Sequence, residues 1–213
     1  MHSLLFRATW IVLLLLIFQS TYAQIGRGTS VRPLQRTSVV VMVGITNPQT
    51  HGALQEFWQN GPGGAAEFRI HLGRSFSVGA GGEMSLLYFD EAAFVARYPG
   101  VPIKTKENLF VGNIYMDVAY VPFPFLVSQP YFKAQIGAVF ITEAVYRQVV
   151  AGVRRTYYNV GGTARLTLGI STGVAWVVSG RLSLLADVKA LYVHHDRAVG
   201  LLLHGRGGIQ YKF

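Results

Sequence analysis

Ser171 stands in Gly-Ile-Ser-Thr-Gly, Gly169 to Gly173, which matches the G-x-S-x-G spacing of a hydrolase nucleophile elbow. That chemistry needs the serine on a sharp strand-to-helix turn, with a histidine and a carboxylate converging on its hydroxyl. Here the surrounding residues, ARLTLGISTGVAW, alternate between apolar and polar, so Ser171 falls in mid-strand and the match reads as coincidence. His194-His195-Asp196 has the residue types of a metal or acid–base site. Adjacent side chains of a strand point to opposite faces, so an exposed polar loop is the better reading. The glycine-rich GAGGEM, Gly79 to Met84, reads as strand rather than as a phosphate-binding turn into a helix. There is no cysteine, which excludes disulfides, thiol nucleophiles and Cys-ligated zinc. No catalytic residue, metal ligand or cofactor is assigned.

A different kind of chemistry lies in charges spaced by two. Glu67, Glu83, Asp117, Glu143 and Asp187 fall on the polar face of their segments, and so do Arg69, Lys133, Arg165, Lys189 and Arg206. Five acids and five bases on one face predict a paired network rather than ion selectivity of one sign. Buried charges are costly unless they are paired and hydrogen-bonded. His71 and His204 share this face, and no catalytic triad forms from them. A second cluster, Arg147, Arg154 and Arg155, accompanies Tyr157 and Tyr158 with no acid nearby. It is either a solvated loop or a contact for lipid phosphates.

The elements that position these residues are strands. Eight segments show apolar–polar alternation or strand composition, at about 37–46, 66–74, 76–89, 108–121, 131–146, 160–178, 181–193 and 201–213. In the sixth, Ala164, Leu166, Leu168, Ile170, Val174 and Trp176 face away from Arg165, Thr167, Ser171 and Gly173. The first, TSVVVMVGI, is apolar on both faces and its register stays open. Short connections at 74–75 and 179–180 and the Pro-rich PFPFLVSQP alternate with longer ones at 47–65, 90–107 and 147–159. An even number of strands of about ten residues with short–long connections is the pattern of a transmembrane β-barrel.

Arg7, the apolar run Ile11 to Phe18 and a plausible cleavage site at Thr21-Tyr22-Ala23 have the layout of a secretory signal peptide, residues 1–23. Residues 24–36 carry Arg27, Arg32 and Arg36 without periodicity and read as a flexible periplasmic leader. Residues 37–213 form one domain. The net charge is +9. An exported chain meets anionic lipid headgroups rather than nucleic acid.

Alternation alone does not separate a membrane barrel from a soluble lipid-binding one, whose apolar face points inward. The charged face also carries Gly73, Gly79, Gly81, Gly137, Gly169, Gly173 and Gly208, and a narrow eight-stranded lumen needs small residues beside long charged ones. Tyr88, Tyr120, Phe132, Trp176, Tyr192 and Phe213 mark strand ends on the apolar face, where interfacial girdles sit.

The stretch GVAWVVSGRLSLLADVKALYV, followed by a last strand ending GIQYKF, resembles the small outer-membrane β-barrel family, the group containing OmpX and the OmpA transmembrane domain. The resemblance spans the chain after residue 23 and is sharpest in its last third. It implies an all-β, eight-stranded antiparallel up-and-down barrel in the outer membrane of a diderm bacterium. It also implies that Ile209, Tyr211 and Phe213 are the signal captured by the barrel assembly machinery. The expected role is structural or surface-interacting, as a monomer contacting outer-membrane lipid and lipopolysaccharide, with a lumen filled by the charged network. The external partner stays open. The alternatives are a narrow channel or transporter, a soluble lipid-binding barrel and a lipid A-modifying hydrolase.

Overall fold

The computed structural model describes residues 37–49, 56–102, 108–150, 153–160, 164–193 and 200–213. Residues 1–23 and 24–36, the expected signal peptide and leader, lie outside these residues. Eight strands close into one antiparallel barrel: β1 (Thr37–Pro48), β3 (Gly61–His71), β4 (Phe76–Phe89), β5 (Leu109–Tyr120), β6 (Ser128–Ile141), β9 (Ala164–Val177), β10 (Leu182–Val193) and β11 (Gly200–Lys212). Each pairs with its neighbour in the chain, and β1 pairs with β11 from Ser38–Lys212 to Pro48–Leu202. Closure leaves no open edge, as a strand-built structure in lipid requires.

Four further elements stand at one end of the barrel. β2 (Trp58–Gln59) pairs with Phe89 and Tyr88 of β4. α1 (Glu91–Arg97) follows β4 directly, its first turn capped by Asp90, whose side chain accepts from Ala93 N at 3.0 Å. β7 (Ala144–Val150) and β8 (Val153–Val160) form a hairpin between β6 and β9, with a register shift at Tyr146/Arg147. The short connections all lie at the opposite end, where the barrel begins at Thr37 and ends at Lys212.

Several boundaries move from the sequence expectation. β3 begins at Gly61, not near 66, and it runs through Gly61, Gly63, Gly64, Ala65 and Ala66, which carry no side-chain alternation to read. A Cβ at Gly61 would meet Leu86 O at 1.5 Å, so close strand packing explains the glycine. The expected strand 131–146 merges the end of β6 with the start of β7, and the expected loop at 147–159 is mostly the β7–β8 hairpin. Gly73 lies in the β3–β4 turn rather than on the lumen face. In β1, Ser38, Val40, Met42 and Thr46 point inward and Val41, Val43 and Ile45 outward, which settles its register.

Candidate functional site

The lumen face of the wall strands brings four acids and four bases together. In the half nearer the short turns, Arg69 on β3 pairs with Glu67 and with Asp117 on β5, the latter at 2.8 Å. Lys133 on β6 reaches Glu67 Oε2 at 3.2 Å, and the Tyr115 hydroxyl donates to the same oxygen at 3.3 Å. Arg69 also donates to Ser77 Oγ at 2.8 Å.

In the other half Arg206 on β11 grips Asp187 on β10 with two hydrogen bonds, Nε to Oδ1 and the terminal nitrogen to Oδ2, both at 2.8 Å. This fork is the geometry in which arginine binds carboxylate best. Its other terminal nitrogen reaches Glu83 Oε2 on β4 at 3.1 Å. Glu83 Oε1 accepts from Lys189 Nζ on β10 at 2.5 Å and from Asn113 Nδ2 at 2.8 Å. In the circular strand order β4 and β10 are four steps apart among eight, so Glu83–Lys189 spans the barrel from wall to opposite wall. The Lys189 ammonium also stands 4.8 Å from the Tyr115 ring centre, and the Tyr131 hydroxyl donates to Asp187 at 3.2 Å.

All eight charged side chains are at most 9% exposed. Glycines leave them room. A Cβ at Gly173 would stand 2.6 Å from the Asp187 Cβ and 2.8 Å from Tyr131 Cζ, and one at Gly79 would stand 3.0 Å from Asp117 and Glu67 carboxylate oxygens. Above the network Thr46 Oγ1 is 2.7 Å from Ser85 Oγ and 2.9 Å from His204 Nδ1.

An apolar core gathers at the long-loop end. Phe57, Trp58, Leu87, Phe94, Leu109, Val139, Tyr146, Leu191 and Leu202 are buried together there. Phe94 of α1 is its centre, with ring centres 5.6 Å from Phe57, 5.3 Å from Tyr98 and 5.8 Å from Tyr146. Tyr157 of β8 stacks 5.1 Å from Tyr98 and 5.3 Å from Tyr146. α1 and the hairpin therefore share one hydrophobic core with the long-loop ends of the wall strands.

Outside, the wall is apolar. Val43, Ile45, Met84, Ile114, Met116, Ile136, Leu168, Ile170 and Val188 are exposed. Phe76, Tyr120, Phe132, Trp176, Tyr211 and Phe213 ring the short-turn end, and Tyr88, Phe110, Phe140 and Tyr192 ring the other. A soluble protein rarely exposes so large an apolar surface. A belt between two aromatic girdles is the lipid face of a transmembrane barrel.

No family model and no curated protein matches this sequence. Among solved structures, Neisserial surface protein A aligns with a TM-score of 0.57 at 13% identity, covering 83% of this chain and 97% of that one. The outer membrane protein OprG of Pseudomonas aeruginosa aligns at a TM-score of 0.49 and 9% identity, covering 84% of this chain and 97% of that one. The fold is that of the small outer-membrane β-barrels.

In this outer-membrane barrel eight of the ten expected lumen charges form the network. Glu143 does not, because β6 leaves the wall at Ile141. Thr142 N donates back to Phe110 O at 3.0 Å, and Glu143 sits exposed in the link to β7. Arg165 is half-buried on the inward face at the long-loop end of β9. Arg147 and Arg154 lie on the strands of the hairpin, and Arg155 on β8 is exposed. Ile209, Tyr211 and Phe213 lie on the lipid face of β11, with Phe213 N donating to Thr37 O at 3.0 Å and its ring 5.2 Å from Tyr211. Ser171 is buried mid-strand between β6 and β10, opposite Lys133 and Lys189 in register, without the turn that a nucleophile elbow requires. His194-His195-Asp196 lies outside the described residues.

Tyr131 was not placed by the alternation, although it shares the parity of Lys133, which is the signal that could have found it. The aromatic cap was missed altogether. Its signal is the density of Phe57, Trp58, Phe94, Tyr98 and Tyr157 in the connections 47–65, 90–107 and 147–159, with Tyr146 at the end of the expected strand 131–146.

Proposed function

We propose that this outer-membrane barrel has a structural or surface-interaction role and does not conduct ions. The carrying observation is the Glu83–Lys189 bridge between opposite walls, held at 2.5 Å inside a network of four acids and four bases. An open pore needs a continuous water path, and the lumen of an eight-stranded barrel is only wide enough for its side chains. Balanced charge also removes the one-sign ring that gives a channel its preference. The aromatic core over the outer mouth supports the same reading. So does a non-enzymatic role, since Ser171 has neither an elbow nor access to lipid.

The surface role is read from the external elements. Phe94 of α1 packs against Tyr146 and Tyr157 of the β7–β8 hairpin, an arrangement suited to presenting a defined surface. The hairpin arginines Arg147, Arg154 and Arg155 would meet lipopolysaccharide phosphates at that height. Replacing all three by serine should weaken co-purification of lipopolysaccharide, and unchanged amounts would remove that contact from the reading.

Planar-bilayer recording with the purified protein tests the closed lumen. A silent bilayer is expected. Steady unitary currents that scale with protein would replace this reading with a narrow channel.

A further inference from the structure

The short-turn end of the lumen, periplasmic in this fold, is not filled as the rest is. A cavity of about 70 Å³ opens there, and its wall carries Arg69, His71, Arg74, Lys133 and Lys212 but no carboxylate. The acids Glu67 and Asp117 sit behind Arg69 and Lys133 and compensate those two cations. Arg74 and Lys212 have no acidic partner among the described residues. Arg74 lies over the Phe125 ring at 5.0 Å, and Lys212 stands beside Gln210 at the end of β11. Ser77 accepts from Arg69 and keeps its own hydrogen to donate. Donors and uncompensated positive charge thus line a space of the size of a small anion, with the charged network behind it.

We propose that this vestibule binds a phosphate group. Its donors suit a tetrahedral oxyanion: the Lys212 ammonium, the Arg74 guanidinium and the Ser77 hydroxyl all belong to residues that line this one cavity. Two sources carry the group to this level. One is free phosphate in the periplasm. The other is an inner-leaflet lipid headgroup, which lies at the height of the girdle residue Phe76 that lines the cavity at the rim. The proposal goes beyond the closed-lumen reading and stands without it, because a conducting barrel can still hold an anion at its mouth.

The test titrates inorganic phosphate into the purified barrel in nanodiscs and follows the heat and the ³¹P line. Wild type, Arg74→Gln/Lys212→Gln and Arg97→Gln are compared, each first shown to be folded by heat-modifiable gel mobility. Saturable binding is expected for wild type and for Arg97→Gln, whose arginine stands at the other end. The double variant should bind about ten-fold more weakly, the loss of about 1.4 kcal/mol. Repeating the titration in dodecyl maltoside micelles, whose headgroup holds no phosphate, and in phosphatidylglycerol nanodiscs separates the sources. Competition by phosphatidylglycerol assigns the site to headgroups and its absence assigns it to free phosphate, and both support the proposal. Identical curves for wild type and double variant, or no saturable binding in the phosphate-free micelles, overturn it.

Discussion

Replacing Glu83 by glutamine should be among the most damaging conservative changes in this barrel. The change keeps the volume but removes the charge that faces Lys189, whose side chain is 0% exposed and 2.5 Å away. Among the described residues no second acid pairs with Lys189, whereas Arg206 keeps both of its bonds to Asp187. The damage therefore concentrates on one stranded ammonium. Breaking a buried pair from one side costs about 3–5 kcal/mol, which lowers the folding equilibrium by on the order of a hundred- to several-thousand-fold. The companion change Lys189→Met removes the stranded charge, so Glu83→Gln/Lys189→Met should recover to within about 1–2 kcal/mol of wild type. An exposed control is Arg97→Gln, since its pair with Glu56 at 3.1 Å has side chains 65% and 43% exposed and should contribute less than about 1 kcal/mol. Equilibrium unfolding in urea with phospholipid vesicles, read by tryptophan fluorescence, gives all four values. A Glu83→Gln cost below about 1 kcal/mol, or a double variant that costs the sum of its parts, would refute a dry, obligate pair and point to a hydrated lumen.

Four other outcomes are expected. Gly173→Ala forces a methyl to within 2.6 Å of Asp187 Cβ, and the same unfolding assay should show a loss of about 1–3 kcal/mol. Asp90 lies outside the membrane, and its side-chain bond to Gln59 and the backbone bonds of α1 hold its carboxyl below the ordinary 3.8. Its cap therefore contributes above the unfolded value and is lost as pH falls through the lower folded value. Asp90→Ala should cost about 1 kcal/mol at neutral pH, and that cost should vanish in strong acid. Deleting Phe213 removes one rim contact and the bond to Thr37, so refolding in detergent should lose only about 1–3 kcal/mol. Outer-membrane levels in cells should fall sharply if Ile209, Tyr211 and Phe213 are an assembly signal, and normal levels would leave packing as their whole role. Finally, a thiol reagent on intact cells should label Arg155→Cys on the hairpin but not Ser179→Cys in a short turn, and the reverse would invert the topology.

Alternation of period two was enough, by itself, to determine the wall of this protein. It assigned Asp187, Lys189 and Arg206 to one face and Leu184, Val188 and Ile209 to the other, because a strand turns successive side chains through half a revolution whatever its neighbours are. Glycines on the charged face told which side was crowded, and aromatics at strand ends told which side met the interface. Strand number followed from the same count. What the sequence could not determine was pairing in space. Glu83 and Lys189 are 106 residues apart, and only closure of the sheet puts β4 opposite β10 and makes them partners. Where alternation was absent, tertiary contacts decided. The glycine- and alanine-rich start of β3 is a strand because β1 and β4 flank it, and the register of β1, apolar on both faces from Val39 to Val43, was chosen by β3 and β11. Glu143 kept the lumen parity but lost the lumen, since parity has meaning only while the strand stays in the wall. The aromatic cap lay in segments with no shared period, and its residues become a core only when α1, the β2 segment and the β7–β8 hairpin meet above the rim. A periodic pattern reports one strand's two faces, whereas a packed core or an ion pair reports distances that the closed barrel alone creates.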